Sequence, residues 1–468
     1  MAPFAFLALS LLSGQALAKV CTNVTIPVNI NAHQPQFNLA PLQVNQDATR
    51  FALNFTNIGR NFTNEIFTGN FADVRGVYNI SAKYCTPDVQ KANPTVQFLT
   101  HGIGFDKSYW DLPFNNYNYS YIDVATAAGF STVSIDRFGI GNSSKADPLN
   151  VVQAPAEVSA MYEITNMLRN GTFPTVAHKF QKVVHVGHSF GSAQTNMLVT
   201  LHPQASDGIV LTGWSINGTW LGQTLADWNL HLARLNQPLR FGNVSLAAKR
   251  GQNGQNGQNK YNSQTGQNGH RNENGSVNSY VSKSDLIQTI ENALGLLGVE
   301  ASASDIWQEI ATTEIGDIIN GWNETLAPPQ NLPTGYLTWS DLTANIFAFL
   351  YPGFFEEAIS LFAEKTKQPV TLGEILTLAS PIGPNKFAGP VQVVTGRQDQ
   401  IYCGGDCLAT GTQLPSIPAA AQVLFPNASA FQAYIHPNTG HGLNFHYNAT
   451  GAYHVIQQWF QSHNLGSS

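Results

Sequence analysis

Charge is what this chain has least of. Asp, Glu, Lys and Arg supply only 11% of its 468 residues, well under the roughly 25% usual in soluble domains, while hydrophobic residues supply 43%. Core material is ample, so something other than charge must keep the surface wet. A net charge of −6 with a pI near 6.1 offers no basic face, which argues against nucleic acid or an anionic membrane as partner. Long hydrophobic runs are also missing: past the first residues none is long enough to span a bilayer. The length exceeds the usual ceiling for one hydrophobic core, so a large domain with an insertion, or two domains, is expected.

What is present in place of charge is the Asn-x-Ser/Thr pattern, at Asn23, Asn54, Asn61, Asn79, Asn118, Asn142, Asn170, Asn217, Asn243, Asn274, Asn323, Asn427 and Asn448. Glycans on these would solubilise a surface poor in charge, and they imply secretion. The start of the chain agrees. In "MAPFAFLALSLLSGQALA" an apolar stretch from Phe4 to Leu12 precedes Ala16-Leu17-Ala18, a small-x-small cleavage pattern, so residues 1–18 read as a signal peptide. No Lys or Arg precedes the apolar stretch, which leaves the terminal amine as its positive end.

Cysteine is scarce but even in number, and four in an oxidising compartment read as two disulfides. The glycines of "CGGDC" let Cys403 curl back to Cys407, which leaves Cys21 to pair with Cys85. Zinc is the rival reading of a Cys-x3-Cys pair, but no second cysteine pair or suitably spaced histidine pair accompanies it. No metal and no cofactor are expected.

From residue 95 apolar strands alternate with helices. "TVQFLTHGIG" (95–104), "STVSIDRFGIG" (131–141), "KVVHVGHS" (182–189) and "DGIVLTGWS" (207–215) read as strands, with helices in "YIDVATAAGF" (121–130), "APAEVSAMYEITNMLRNG" (154–171) and "SAQTNMLVTLH" (192–202) between them. The alternation returns at "PVQVVTGRQD" (390–399) and "FQAYIHPNTGHG" (431–442) and closes with the helix "YHVIQQWFQSH" (453–463). Such a pattern predicts an α/β protein with a mostly parallel sheet covered on both faces. Residues 19–215 and 388–468 form that core. Residues 216–387, helical and rich in Trp, read as an inserted lid domain, with Ser284-Asp285 and Ser304-Asp305 as helix N-caps. Within it, about 248–283, a tandem Gly/Gln/Asn tract lacks the apolar surface to fold and is expected to be a disordered loop.

Chemistry concentrates where "KVVHVGHSFGSAQ" (182–194) breaks from a β-branched strand into a helix. A turn tight enough to lift a hydroxyl above the sheet needs very small residues two before and two after it, and Gly187 and Gly191 flank Ser189 in that way. A serine nucleophile needs a base, and the base needs a carboxylate to hold its tautomer. Asp399, ending a late strand, is the candidate acid, with Asp406 as rival. His441, between Gly440 and Gly442, is the candidate base, with His436 and His446 as rivals. Two backbone N–H groups should face the developing oxyanion: that of Phe190, and one from "HGIGFDKSYWD" (101–111), with Ile103 the first choice and Gly104 the second. His101 reads as a brace for that loop.

Gly-His-Ser-Phe-Gly, the His101-Gly102 loop and "DRFGIGNSS" (136–144) together resemble the α/β-hydrolase superfamily. The last segment is similar to its Asp-x-x-Gly-x-Gly-x-Ser signature at Asp136, Gly139, Gly141 and Ser143. The likeness covers roughly 95–215 and 390–462, leaves the insertion uncovered, and extends weakly to secreted lipase- or esterase-like members from filamentous fungi. It implies the α/β-hydrolase fold, with the lid inserted after the strand near 207–215, and acyl transfer to water through Ser189. Serine in place of an aspartate nucleophile argues against the epoxide- and haloalkane-hydrolysing branches. The expected protein is a secreted, monomeric-or-oligomeric carboxylic-ester hydrolase acting on a small-molecule or lipid-like ester with an apolar or aromatic group. Secondary-metabolite tailoring by hydrolase or lyase chemistry, peptide hydrolysis, and a non-enzymatic binding glycoprotein are the alternatives.

Overall fold

A computed structural model describes residues 19–89, 91–242, 330–378 and 383–468. The proposed signal peptide, Asn243, Asn274, Asn323, the Gly/Gln/Asn tract and the two Ser-Asp caps lie outside these residues. The chain forms two compact units, residues 1–236 with 333–468, and residues 237–332. Both boundaries fall inside the segment that sequence pattern assigns to the insertion. Of the second unit the described part is small: a helical turn, Pro238–Phe241, is followed by paired chain ends, with Asn331 N–H on Gly242 C=O (2.9 Å) and Leu332 N–H on Phe241 C=O (3.0 Å).

The first unit is built on an eight-stranded sheet. Its strands are β1 (Val20–Phe37), β2 (Phe67–Thr86), β3 (Thr95–Thr100), β4 (Ser131–Ile135), β5 (Lys182–His188), β6 (Gly208–Thr212), β10 (Val391–Gly396) and β11 (Phe431–His436). They lie in the order β1-β2-β4-β3-β5-β6-β10-β11. All pairs from β4 to β11 are parallel, and β2 joins β4 antiparallel. The central strands β3, β4, β6 and β10 are buried at every position, which is why they read as runs dominated by apolar and β-branched residues, interrupted by the buried Gln97, Ser131, Ser134 and Gln392. Helices Tyr121–Ala127, Ala154–Asn170, Phe190–Leu201 and Ala449–Ser462 connect or close the crossovers.

β1 and β2 form a long antiparallel ribbon that the strand-helix alternation does not reveal. Along β1 every second residue from Val24 to Gln34 is buried, while Thr25, Pro27, Asn29, Asn31 and His33 face outward. That is the period of a half-buried strand. Cys21 and Cys85 sit opposite each other in its register and are disulfide-bonded. A separate three-stranded sheet, β7 (His231–Leu232), β8 (Tyr336–Thr338) and β9 (Val370–Thr371), belongs to the same unit. Among the described residues no helix is long and apolar enough to cross a membrane, and no cluster of His, Cys, Asp and Glu is arranged to hold a metal.

Candidate active site

Between the end of β5 and the helix Phe190–Leu201, Ser189 holds φ 54° and ψ −117°, a conformation that non-glycine residues seldom adopt. Sterics explain how it is held. A Cβ on Gly187 would lie 2.4 Å from the carbonyl oxygen of Gly191, and one on Gly191 would lie 2.2 Å from that of Thr100. The serine N–H is anchored on Thr212 C=O at 2.9 Å. Although Ser189 stands at the helix N-cap, its hydroxyl caps nothing, so it is left for other chemistry. Gly102 passes so close that a Cβ there would be 2.8 Å from the Ser189 Cβ.

Asp399 follows β10 and heads the short helix Gln400–Cys403. Both carboxylate oxygens are engaged: Oδ1 accepts from Tyr402 N–H at 2.9 Å, and Oδ2 pairs with His441 Nδ1 at 2.8 Å. Acid and imidazole are both fully buried. The rival acid Asp406 instead pairs at the surface with Arg397. Of the rival histidines, His436 ends β11 and pairs through Nε2 with Asn448 C=O, and His446 hydrogen-bonds to backbone only. With Nδ1 on Asp399, His441 Nε2 is buried and without a partner, and its ring centre lies 5.0 Å from that of His188, the residue before Ser189. Ser189 and His441 are not hydrogen-bonded to each other.

Ser189 lines a narrow cleft with Ile103, Leu221, Thr224, Leu225, Trp228, Ile375, Leu378, Ile401 and Tyr402. The open volume is about 20 Å³, room for roughly one water. Among the described residues the N–H groups of Phe190 and Ile103 donate to no protein acceptor. Gly104 stands apart from the cleft lining. It takes φ +82°, and a Cβ there would lie 1.9 Å from the Trp339 ring. His101 braces its loop from both nitrogens: Nδ1 pairs with Gly102 C=O at 2.8 Å, and Nε2 accepts from Arg137 N–H at 3.1 Å. Burial, with the Arg137 charge next, keeps this imidazole well below its ordinary pKa, consistent with the neutral form those bonds need.

A serine on a strained strand-to-helix turn at the carboxyl end of the sheet, with acid and histidine following the two later strands, decides the architecture. The fold is that of the α/β-hydrolases.

No protein-family model and no curated protein sequence matches the chain. Solved α/β-hydrolase-fold structures are similar to it at low identity. An esterase from Thermogutta terrifontis is 12% identical, covering 83% of this chain and 94% of its own, with a TM-score of 0.39. A Bacillus anthracis bromoperoxidase is 12% identical over 83% and 96%, TM-score 0.40. A proline iminopeptidase from Mycobacterium smegmatis is 11% identical over 84% and 97%, TM-score 0.36. Strand order and the Ser189 turn, not these scores, carry the fold assignment.

Around Arg137 the core gathers further groups that sequence pattern does not single out. Arg137, 1% exposed, bonds Glu157 at 2.8 Å and also Glu374, and its guanidinium lies 4.8 Å from the Phe190 ring centre. Gln194 donates to the other Glu157 oxygen. The cluster thus fastens the helix Leu372–Thr377, whose Ile375 lines the cleft, to the helix that starts at Phe190. Burial pushes the Glu157 carboxyl well above its usual range. Beside it the Asp136 signature binds two loops: its carboxylate accepts from the N–H groups of Lys107 and Asn142, each at 2.9 Å, and Ser143 Oγ donates to its carbonyl at 2.7 Å. A Cβ on Gly141 would fall 2.6 Å from that carboxylate. Nothing in local sequence points to Glu157 or Glu374, because their partner is remote in the chain. The second expected disulfide, Cys403 to Cys407, is present and closes the loop just after Asp399.

Proposed function

We propose that the protein is a secreted serine hydrolase that cleaves carboxylic esters through an acyl-enzyme on Ser189. The observation that carries the reading is a buried Asp399–His441 pair whose Nε2 has no partner among the described residues and whose ring lies 5.0 Å from that of His188, the residue before a serine held at positive φ that lines an apolar cleft. In the proposed cycle Ser189 Oγ attacks the ester carbonyl while His441 Nε2 takes the hydroxyl proton. Asp399 keeps the imidazole in the Nδ1–H tautomer and stabilises the imidazolium. The carbonyl oxygen, now carrying the negative charge, is met by the N–H groups of Phe190 and Ile103. His441 returns the proton to the departing alkoxide, which leaves as the alcohol. Water, deprotonated by the same nitrogen, then cleaves the acyl-enzyme to the acid.

Leu221, Leu225, Trp228, Ile375 and Leu378 along the cleft favour an apolar or aromatic group on the ester. Secretion is supported by the two disulfides and by the ten described sequon asparagines, none of which is buried. An ester panel assayed with wild type beside Ser189→Ala tests the reading. The expected loss is on the order of 10⁴ or more in kcat. A folded Ser189→Ala protein with wild-type turnover would end it.

A further inference from the structure

Three features outside the proposed triad invite a role: the groove between Ile346, Tyr351 and Gly405, the buried Arg137 cluster, and His446. The third is carried furthest by geometry. His446 is fully buried, and its ring contacts three peptide groups. Nε2 accepts from the N–H of Gly440 and from the N–H of Tyr351, each at 3.0 Å, and Nδ1 pairs with the C=O of Gly442, also at 3.0 Å. Two N–H donors on one nitrogen leave it only the acceptor role, so the proton sits on Nδ1 and is donated to Gly442. Gly440 and Gly442 are the residues on either side of His441.

One imidazole therefore grips the backbone before and after the proposed base and ties it to the segment at Tyr351. The same segment meets the loop again where Phe349 C=O accepts from Gly442 N–H at 2.7 Å, and the Phe349 ring lies 5.7 Å from that of His441. Loss of the His446 side chain would free the Gly440 N–H and the Gly442 C=O from the imidazole on the two flanks of His441 and leave the Gly442 N–H on Phe349 C=O. Resting on the serine-hydrolase reading above, we infer that His446 is a positioning residue: a neutral imidazole template that fixes the His441 loop so that Nε2 meets the nucleophile. It touches no reacting atom. Its effect passes through the orientation of His441, so it should act on turnover and not on substrate binding.

The test compares His446→Leu, which removes acceptor and donor, with His446→Gln, which keeps an amide oxygen able to accept, alongside Ser189→Ala and His441→Ala, using a p-nitrophenyl ester and thermal melts. Expected is a loss of about 10- to 100-fold in kcat for His446→Leu with KM within about twofold, and recovery of most of that loss in His446→Gln. A folded His446→Leu protein with wild-type kcat, or Leu and Gln variants equally impaired, overturns the inference alone. Retained hydrolysis by Ser189→Ala and His441→Ala overturns the underlying reading and the inference with it. Should His446→Leu not fold, nitrogen NMR of histidine-labelled wild type decides: an Nδ1–H tautomer with an unprotonated, hydrogen-bonded Nε2 at His446 supports the role, and an Nε2–H tautomer contradicts it.

Discussion

The two sides of the proposed site are held by different physics. On the nucleophile side close steric approach dominates: Gly187, Gly191 and Gly102 let backbones come so near that any Cβ would collide with main-chain atoms or with Ser189 itself. On the histidine side one close approach, Gly396 against the carbonyl oxygens of Gly440 and Thr439 (2.2 and 2.3 Å for an added Cβ), is joined by a web of hydrogen bonds from Asp399, His446 and Phe349. Sterically held parts should fail by unfolding. Parts held by hydrogen bonds to one imidazole should fail by losing turnover while the fold survives.

The largest expected effect that separates these modes is on the histidine side. Asp399→Asn preserves shape and can still accept from Tyr402 N–H, but it favours the wrong His441 tautomer. A fall in kcat of about 10⁴ with a nearly unchanged melting temperature is expected from ester assays and calorimetry. On the opposite side Gly191→Ala should be read out in stability, with a cost of about 3 kcal/mol or more, or no soluble protein, because the obstructing atom is backbone and cannot swing away. A soluble Gly191→Ala protein with an unchanged melting temperature would break the comparison. Arg137→Met, beneath Phe190, removes the cationic partner of Glu157 and Glu374 and should cost about 3–5 kcal/mol in denaturant titrations.

The smallest effect concerns pH. Burial holds the imidazole pKa of His446 at about 4 and that of His185 at about 3, with His101 and His188 also well below the ordinary value. An unfolded histidine takes up its proton near pH 6.5, so the unfolded chain gains protons first as pH falls. Their stabilisation is complete above about 6.5 and is lost on going down toward 4. Asp136, Glu157 and Asp227, raised by burial, work the other way, losing their contribution as pH rises. With the buried histidines in the majority, the melting temperature should decline from pH 7 to pH 4.5. A flat or rising profile would contradict this balance.

The same contrast explains what could be read from residues alone. Gly187, Ser189 and Gly191 fall within five consecutive positions, although Gly191 is small for the sake of the remote Thr100 carbonyl, and the buried strands around them announce themselves as largely apolar runs; spacing and runs are both local properties. The β1–β2 ribbon alternates exposed Thr, Asn and Pro with buried Val and Ile, a weaker signal than the runs that follow it. His446 was legible only as one of three candidate bases, since its partners Tyr351 and Gly440 are brought together by folding. Glu157 and Glu374 are further cases, joined through Arg137 across more than two hundred residues.

The central claim, that a remote acid and imidazole activate the hydroxyl on the strained turn, is tested most directly by treating the purified protein with a fluorophosphonate and locating the adduct by mass spectrometry. A single adduct on Ser189, absent from Ser189→Ala and strongly slowed in His441→Ala, is the expected result. Hydrolytically active protein that carries no adduct at Ser189, or labels equally fast without His441, would contradict it.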